Sequence, residues 1–395
     1  MPKRGELVLI AGGGIGGLAA SIALGRRGIA TEILERSHFT EETGAGIQLG
    51  PNATRALAAL GVLDVIEPHA FRPEAISIYD GISGRKLASV PLGKHAEQRY
   101  GAPYLTLHRA DLHAGLRAVA QSLAPAVLRP GFELTAVDAQ GGDVVARAVD
   151  GSEAKGASLI GADGLWSTLR PLMSPAAALG FTGATAWRAI LPRGNLPSPF
   201  DAPVIGLWLG PRAHIVHYPV RGGRDLNIVA VTEGGAELQG WNQTGSAETL
   251  LAGFTRWTKD SKSLLERATG WRSWSLYRLT GLRRFSEGRI ALLGDAAHPV
   301  LPYLAQGAAL AIEDAVTLAA CIEAWPGDPP AAFRRYEGLR RPRVARVQRL
   351  SRRFGWLYHL RGPLRPARNL ILERRSEERA LQRFDWLYRH EDERA

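Results

Sequence analysis

The stretch LVLIAGGGIGGLAASIALGRRGIATEILE, residues 7–35, decides the fold class. Its first four residues form a continuous apolar run, which is typical of a strand buried on both faces. The glycines that follow have the spacing G-x-G-x-x-G, and the pattern then predicts a helix over 18–27 and a strand over 31–34. Gly12 permits a tight turn, Gly14 lets the backbone approach a pyrophosphate, and Gly17 lets the helix pack on the strand.

An acidic residue closes the second strand of this stretch. Glu35 stands 18 residues after Gly17, where a carboxylate is expected to bind the ribose of an adenine dinucleotide. A carboxylate there disfavours a 2′-phosphate, so the expected ligand is FAD or NAD(H) rather than NADP(H). Arg36, the next residue, is expected to belong to the same cofactor site.

A second stretch, LLGDAAHPVLPYLAQGAALAIEDA over residues 292–315, could hold another part of the same ligand. A predicted strand over 289–293 ends at Gly294-Asp295, and a carboxylate at a strand end can bind a ribose hydroxyl. After a Pro-rich turn, a long helix is predicted to open near Gln306, Gly307 and Ala308. The free N–H groups of a helix start can hold anionic density.

Between these stretches the pattern changes from helical to alternating. A glycine-rich loop over 44–52 precedes a predicted helix over 53–60. A second helix is predicted over 109–123, and Arg109 at its start is a candidate phosphate-binding guanidinium. A buried strand, 158–162, ends in Asp163-Gly164. Period-two alternation then predicts a mostly antiparallel sheet between 183 and 282, with strands over 185–190, 204–209, 214–218 and 226–231. In the third of these, residues 215 and 217 share one face and residues 214, 216 and 218 share the other.

Composition narrows the functional classes. The chain of 395 residues has no run of eighteen apolar residues, and glycines interrupt its N-terminal apolar run, so we expect neither a membrane span nor a signal peptide. A single cysteine, Cys321, allows no internal disulfide, CxxC redox pair or cysteine-based metal site. We therefore expect no metal and a cytoplasmic location.

The net charge of +11 is concentrated at the C-terminal end. Residues 331–395 hold 18 arginines against 8 acidic residues. Such a segment could be an arm for nucleic acid or for an anionic membrane. Because the arginines alternate with apolar residues at helical spacing, we expect a solvated face of C-terminal helices, with no nucleic acid as partner.

Three motifs stand in a fixed order, GGGIGG with Glu35, GADGLWSTLR at 161–170 and GDAAHPVLPYLAQGAALAIEDA at 294–315. Together they resemble the single-component FAD-dependent aromatic hydroxylases, the p-hydroxybenzoate hydroxylase superfamily. Five further stretches are most similar to its salicylate hydroxylase and 3-hydroxybenzoate 6-hydroxylase branch: GAGIQLGPNA (44–53), YGAPYLTLHRADL (100–112), TAWRA (185–189), HYPVRGG (217–223) and YEGLRRPRVARVQ (336–348).

The resemblance implies an α/β fold in which a Rossmann-like FAD-binding domain carries an inserted, mostly antiparallel β-sheet substrate domain and C-terminal helices. We expect the discontinuous FAD-binding domain over 1–73, 101–182 and 283–330, the substrate domain over 74–100 and 183–282, and the helical region over 331–395. A homodimer is a possible assembly.

The implied activity is a monooxygenation with one FAD, NADH or NADPH as co-substrate, and O₂. A phenolic or heteroaromatic ring would be hydroxylated through a flavin C4a-hydroperoxide, so the partner is a small aromatic substrate. The alternative within the same fold is a hydroxylase or epoxidase of a larger, polyketide-like product.

The resemblance also assigns cofactor roles. Gly12, Gly14 and Gly17 would hold the pyrophosphate, Glu35 the adenosine ribose and Arg109 a phosphate or ribose. Asp163 is linked in the family to FAD and pyridine nucleotide, and Asp295 matches the acid at the ribityl chain. The helix start at Gln306, Gly307 and Ala308 would point its N–H groups at the anionic edge of reduced flavin.

Electrophilic oxygen transfer favours a phenolate over a phenol, so the substrate site needs a base. The resemblance makes His217 the first choice and His214, on the opposite face, the second; His298 is expected to be structural. Pro302 would offer its carbonyl to the substrate hydroxyl. The expected pocket walls are Gln48, Leu207, Trp208 and Tyr303, while Arg188 would meet either a substrate carboxylate or the flavin.

Overall fold

The computed structural model describes residues 7–38, 45–123, 126–139, 142–238, 240 and 243–390. In chain order the strands are β1 (Val8–Ala11), β2 (Thr31–Glu35), β3 (Gly46–Leu49), β4 (Ala75–Asp80), β5 (Lys86–Pro91), β6 (Leu105–His108), β7 (Ala126–Pro130), β8 (Leu134–Asp138), β9 (Val144–Ala148), β10 (Glu153–Gly156), β11 (Ser158–Gly161), β12 (Ala178–Pro192), β13 (Ile205–Gly210), β14 (Ala213–Val220), β15 (Asp225–Glu233), β16 (Gln243–Thr244), β17 (Arg272–Thr280), β18 (Ser286–Glu287) and β19 (Ile290–Leu292).

The α-helices are α1 (Ile15–Gly25), α2 (Pro51–Ala59), α3 (Leu63–Ile66), α4 (Gly93–Tyr100), α5 (Arg109–Ser122), α6 (Leu169–Met173), α7 (Ala247–Ala252), α8 (Lys259–Arg267), α9 (Gly307–Ala324), α10 (Pro329–Tyr358), α11 (Leu364–Glu373), α12 (Glu377–Gln382) and α13 (Asp385–Tyr388). Short 3₁₀ helices cover Glu67–His69, Arg221–Gly223, Gly294–Ala296 and Pro302–Leu304. Among the described residues no helix has the length and apolar character needed to cross a membrane.

The first sheet has the strand order β18-β19-β11-β1-β2-β7, and all its neighbours are parallel except the edge strand β18. Parallel strands place their carboxyl ends at one edge, and open α/β sheets bind ligands there. The glycine loop follows β1, Asp163 follows β11 and Asp295 follows β19. The fold therefore brings the three sequence motifs to one edge, and the predicted Rossmann-like domain is confirmed.

The second large sheet has the order β16-β17-β12-β15-β14-β13-β4-β5 and is antiparallel except where β13 pairs with β4. One face packs against α7 and α8 in a core of aromatic and aliphatic side chains that includes Trp208, Ile215 and Phe254. The other face is turned towards the start of α9. The inserted, mostly antiparallel sheet is confirmed; the exact domain boundaries stay a prediction, and β12 already starts at Ala178, before the expected boundary at 183.

The glycine-rich segment expected as a loop is instead the strand β3, paired antiparallel with β6. A Cβ atom at Gly46 would lie within 2.7 Å of Asn227 and Tyr218, so glycine is required where this backbone crosses the large sheet. Gly44 lies outside the described residues. Helix α2 starts at Pro51, earlier than predicted, because proline fits the first helical turn.

The basic C-terminal segment is only partly a solvated face. Arg340 and Arg343 are buried and bind Glu313 of α9 at 2.7 and 2.5 Å, and Arg340 also binds Asp314 at 2.6 Å. Arg365 binds the buried Asp80 of β4 at 2.6 Å. These ion pairs attach the C-terminal helices to helix α9 and to the large sheet, which composition alone could not show.

Candidate active site

The glycine loop after β1 has the shape of a phosphate cradle. At Gly12, φ is +106° and a Cβ atom would lie 2.5 Å from Ala162 O, while a Cβ atom at Gly17 would overlap Gly12 O. A Cβ atom at Gly14 would meet nothing within 4 Å, so open space lies beside the loop. The loop therefore fits a pyrophosphate approached by the backbone at the start of α1.

Glu35 and Arg36 lie beside this loop. Gly13 N–H donates to Glu35 Oε2 (2.6 Å) and Ser37 N–H donates to Glu35 Oε1 (2.8 Å). His113 Nε2 lies 2.8 Å from Gly13 O, and Arg36 is exposed. Glu35 thus fixes the glycine loop, and an ionised carboxylate keeps further lone pairs for ribose hydroxyls.

Asp163 has a structural contact that the sequence did not indicate. Its Oδ2 accepts hydrogen bonds from the N–H groups of Thr168 (2.8 Å) and Leu169 (3.1 Å) at the start of α6. Within the described part of the chain its Oδ1 is buried without a partner, and burial raises the pKa of its carboxyl group. The unpaired oxygen leaves room for a ligand contact beside the capping role.

Asp295 presents an accessible carboxylate in a deep location. This residue is exposed at the ligand edge of the sheet. Desolvation by the surrounding protein nevertheless raises the pKa of its carboxyl group. Arg170, which sequence reasoning missed, donates to Ala296 O (3.1 Å) and to Leu165 O (2.6 Å). This buried guanidinium joins the second and third motifs, and its place as the last residue of the second motif was the available signal.

Helix α9 begins at Gly307, as predicted, with Gln306 as its N-cap. The first helical bond runs from Leu310 N–H to Gln306 O, so the N–H groups of the first turn lie outside the helical ladder. Asn52 of α2 donates to Gln306 Oε1 (3.0 Å) and Glu313 Oε1 (2.7 Å), which fixes this end. The helix start fits an anionic ring edge.

A cavity of about 250 Å³ lies between this helix start and the large sheet. Its lining residues are Ala45, Gly46, Ile47, Gln48, Arg109, Arg188, His214, Val216, Tyr218, Val229, Val231, Trp274, Val300, Pro302, Ala305, Gln306, Gly307 and Ala308. The charged side chains in this described lining are two guanidiniums. The cavity is therefore an apolar chamber with a positive field.

The two histidines of β14 lie on opposite sides of the sheet. His214 lines the cavity, whereas His217 is fully buried on the other face, with its ring centroid 5.1 Å from that of Phe200. Both ring nitrogens of His217 are without a partner among the described residues. The choice of His217 over His214 is therefore corrected, because strand alternation turns residue 217 away from the cavity.

Three of the expected wall residues do not line the cavity. Trp208 pairs with Ile215 and stacks on Tyr79 at 4.4 Å, on the face opposite the cavity. Leu207 shares the cavity face with Val216 but is not among the lining residues. Tyr303 stands behind His214 with a centroid distance of 5.5 Å and does not line the cavity.

Gln48, Arg188 and Pro302 do line the cavity. The Pro302 carbonyl already accepts a hydrogen bond from Ala305 N–H (3.0 Å), so one of its lone pairs is used within the turn. Burial, and then the charge of Arg109, lower the pKa of Arg188 to about 10, and its guanidinium carbon lies 4.9 Å from the ring of Trp274.

Tyr218 and Trp274 are wall residues that sequence reasoning missed. Tyr218 follows His214 and Val216 at every second position of β14, so strand alternation predicts that all three side chains lie on the same face. Burial raises the pKa of its hydroxyl, which keeps it a neutral donor. Trp274 comes from β17, and only the pairing of β17 with β12 brings it beside Arg188.

Comparison with known proteins adds an independent line of evidence. A family model described as "FAD binding domain" matches residues 7–351. The 3-hydroxybenzoate 6-hydroxylase of Polaromonas naphthalenivorans (strain CJ2) is 37% identical over 96% of this chain and 95% of its own. The 6-hydroxynicotinate 3-monooxygenase of Bordetella bronchiseptica (strain ATCC BAA-588 / NCTC 13252 / RB50) is 37% identical over 89% of this chain and 91% of its own.

A solved structure shows the same architecture. Klebsiella pneumoniae HpxO complexed with FAD and uric acid superposes with a TM-score of 0.85 and 26% identity, covering 96% of both chains. The family match, the relatives and the fold agree with the motifs and the cofactor edge described above. The chain therefore belongs to this FAD-binding family, as a flavoprotein aromatic-ring monooxygenase of the p-hydroxybenzoate hydroxylase superfamily.

Proposed function

We propose that this monooxygenase hydroxylates a single aromatic ring that carries both a hydroxyl group and a carboxylate. The observation that carries the proposal is the cavity itself, which combines one imidazole, His214, with two guanidiniums and apolar walls. An imidazole suits a phenolic proton, and a guanidinium suits a carboxylate. FAD, NAD(P)H and O₂ are the cofactor and co-substrates.

When bound, FAD supplies the redox and oxygen-activating chemistry. The residues of this chain that fit it are the cradle at Gly12, Gly14 and Gly17, the carboxylates of Glu35 and Asp295, and the start of α9. Arg109 lies at the cavity end of this edge and suits a phosphate or another anion. Asp163 is proposed as a contact through its unpaired oxygen.

His214 is the proposed base for the substrate hydroxyl. Burial, followed by the charge of His359, holds the pKa of His214 well below its usual value, so the ring is neutral at physiological pH. His214 Nδ1 lies 2.8 Å from His359 Nε2, which leaves Nε2 of His214 for a ligand in the cavity. A neutral imidazole with one available nitrogen can accept a phenolic proton.

Arg188 is the proposed partner of the substrate carboxylate. The pKa of its guanidinium is lowered by burial and by Arg109, and an anion in the cavity would offset both effects. The names of both relatives describe acids that carry a ring hydroxyl, 3-hydroxybenzoate and 6-hydroxynicotinate. The chemistry of the cavity and the relatives thus support the same substrate class.

The size of the cavity favours this class over a polyketide-like product. A cavity of roughly 150 Å³ can hold one benzene ring. The space here is about 250 Å³, and any part of the flavin that enters it leaves less room. One substituted ring fits, whereas a fused polycyclic substrate requires the walls to move.

A substrate panel tests the proposal. NAD(P)H oxidation and hydrogen peroxide release are measured with 3-hydroxybenzoate, 6-hydroxynicotinate, the methyl ester of each acid and a tricyclic phenol. The acids should stimulate oxidation without peroxide release. A charge-assisted hydrogen bond of about 1.5–3 kcal/mol predicts a kcat/KM for the esters that is about 10- to 150-fold lower.

Arg188→Gln separates the carboxylate contact from other roles of this arginine. The variant should raise KM for the acids about tenfold or more and change the esters little, because only the acids lose an ion pair. Equal effects on acids and esters would place Arg188 at the flavin instead. Better turnover of the tricyclic phenol than of the acids would refute the single-ring class.

We also propose a cytoplasmic location and a homodimer. The lone cysteine is buried, as suits a reducing compartment, and NAD(P)H is a metabolite of that compartment. The exposed apolar side chains Trp356, Leu364, Leu370 and Ile371 on α10 and α11 are the surface that we propose for a dimer. Light scattering of the wild-type protein and Trp356→Glu would test it.

A further inference from the structure

A row of three titratable side chains leads from the cavity to the surface. His214 Nδ1 lies 2.8 Å from His359 Nε2, and His359 Nδ1 lies 2.6 Å from Glu233 Oε1. His214 is 3% exposed and His359 is 5% exposed, whereas the side chain of Glu233 is 39% exposed. The row therefore begins at the cavity wall and ends in solvent.

The row crosses three elements that the backbone holds together. His214 is on β14, Glu233 ends β15, and His359 follows the last residue of α10. Arg212 N–H donates to His359 O (3.3 Å) and Glu233 N–H donates to Arg212 O (2.9 Å). The end of α10 is thus fixed against the strand pair that carries the other two members.

Two tyrosine rings border the imidazoles. The His214 ring lies 5.5 Å from Tyr303 and 5.4 Å from Tyr358, and Tyr303 lies 5.9 Å from His359. The cations near Glu233 are Arg212, 3.9 Å from its Oε2, and Arg361. Apart from the cavity and the row itself, the His214 ring therefore packs against these aromatic rings.

One combination of tautomers satisfies both hydrogen bonds in the row. An ionised carboxylate only accepts, so His359 Nδ1 donates to Glu233. In the tautomer in which His359 accepts at Nε2, His214 Nδ1–H donates to it and His214 presents an unprotonated Nε2 to the cavity. In this tautomer the residue at the cavity is ready to take a proton.

We propose that His359 and Glu233 form a proton relay that carries the proton of the substrate hydroxyl from His214 to solvent. This inference rests on the proposed function, because it needs a hydroxylated substrate at His214. His214 would contact the substrate, whereas His359 and Glu233 act through it and are positioning and proton-conducting residues.

The transfer balances without any other reactant. The substrate O–H bond breaks as an N–H bond forms at His214 Nε2, and His214 Nδ1–H breaks as an N–H bond forms at His359 Nε2. The positive charge then lies on His359 beside the Glu233 carboxylate, and His359 Nδ1–H can pass its proton through Glu233 to water. Reprotonation of the product oxygen along the same path restores the original tautomers.

The relay explains how His214 can act as a base although its pKa is low. Burial and the charge of His359 hold the pKa of His214 low, so His214 cannot retain a proton taken from a phenol. The hydrogen bond to His359 lowers the pKa of Glu233, which shows the carboxylate stabilised in its charged form next to that ring. The proton gains a favourable site only by moving outwards.

The test measures phenol deprotonation without turnover. Holoenzyme loaded with FAD is mixed with 3-hydroxybenzoate or 6-hydroxynicotinate in the absence of NAD(P)H, and the anion is followed by its absorbance in a stopped-flow instrument. Glu233→Gln and His359→Gln keep polar side chains but cannot pass the proton on. Glu237→Gln, an exposed acid on the same stretch, is the matched control.

Both relay variants should slow anion formation about tenfold or more, with substrate affinity within about twofold of wild type. Imidazole in the buffer should restore much of the rate in Glu233→Gln, because a small base can take the proton from His359. Glu237→Gln should behave as wild type. Glu233 is partly exposed, so its variant is expected to fold, and FAD content checks this.

Wild-type rates in both relay variants would overturn the relay while leaving the proposed function standing. A slow rate that imidazole does not restore, or that Glu237→Gln shares, would indicate altered packing and would also overturn it. If wild-type enzyme forms no anion with either compound, the proposed function fails, and the relay fails with it.

Discussion

His217 is a buried histidine with two unpaired ring nitrogens in the described structure. Its ring fills the space beside Gly206, where a Cβ atom would overlap it, and contacts Phe200. Burial, followed by the charge of Arg193, lowers the pKa of His217 to about 3. The residue is thus a neutral filler of the core behind the sheet.

This environment predicts an acid-sensitive fold. Because the folded pKa lies below the value of about 6.5 in the unfolded chain, the unfolded state binds more protons between these values. The contribution is complete above about pH 6.5 and decreases as pH falls, by about 1.4 kcal/mol per unit. In His217→Leu, the loss in free energy of unfolding between pH 7.5 and 5 should be smaller than in wild type.

Urea titrations of the FAD-loaded protein at both pH values give this difference. His214 contributes with the same sign, since its pKa is also lowered, so the variant should retain part of the dependence. An unchanged loss in His217→Leu would mean that His217 is already protonated at pH 5 in the folded protein.

The two histidines also show what residue-level sequence reading could reach. Alternation along 214–218 divides the residues correctly between two faces. It cannot tell which face meets the ligand, because that depends on α7 and α8, which cover the face of Ile215 and Trp208. The resemblance favoured His217 and Trp208, which lie on the face away from the cavity.

At the scale of elements, α9 and α10 are joined through buried charge. Asp314 Oδ2 accepts from Gly294 N–H (3.0 Å) and lies 2.6 Å from His298 Nε2, while Arg340 donates to its Oδ1 (2.6 Å). Burial opposes the charge, but His298 and Arg340 together keep the pKa of Asp314 below its usual value. This carboxylate fixes the turn that carries Asp295, and His298 has the expected structural role.

Removal of that carboxylate should be costly. Asp314→Asn leaves Arg340 without half of its counter-charge, and breaking a buried pair typically costs about 3–5 kcal/mol. The free energy of unfolding, measured by urea titration of the FAD-loaded protein, should fall by that order. Glu323→Gln, at the exposed end of the same helix, should cost less than about 1 kcal/mol.

Equal costs for the two variants would contradict the role given to the buried pair. The motif IEDA could be recognised in the sequence, but the ion pairs that its two acids form could not be predicted. Arg340 and Arg343 lie roughly thirty residues further along the chain, and only the packing of α10 on α9 brings them to Glu313 and Asp314.

At the scale of the whole molecule, the site forms where two sheets meet. The nucleotide sheet could be predicted because its motifs are local, with strand, glycines, helix and acid within residues 7–35. The predicted strands over 214–218 and 226–231 also lie within the observed β14 and β15, because period-two alternation is a local pattern. The wall of the cavity could not be predicted, since Trp274 and Arg188 meet only through the register of β12 and β17.

The central claim is that hydroxylation takes place on the His214 face of the large sheet. The most direct test compares wild type, His214→Gln and His217→Leu, each loaded with FAD, by the share of NAD(P)H oxidation recovered as hydroxylated 3-hydroxybenzoate or 6-hydroxynicotinate. Loss of a general base predicts product formation about 100-fold slower in His214→Gln, while His217→Leu should form product as wild type does. Normal product formation in His214→Gln together with its loss in His217→Leu would contradict the account.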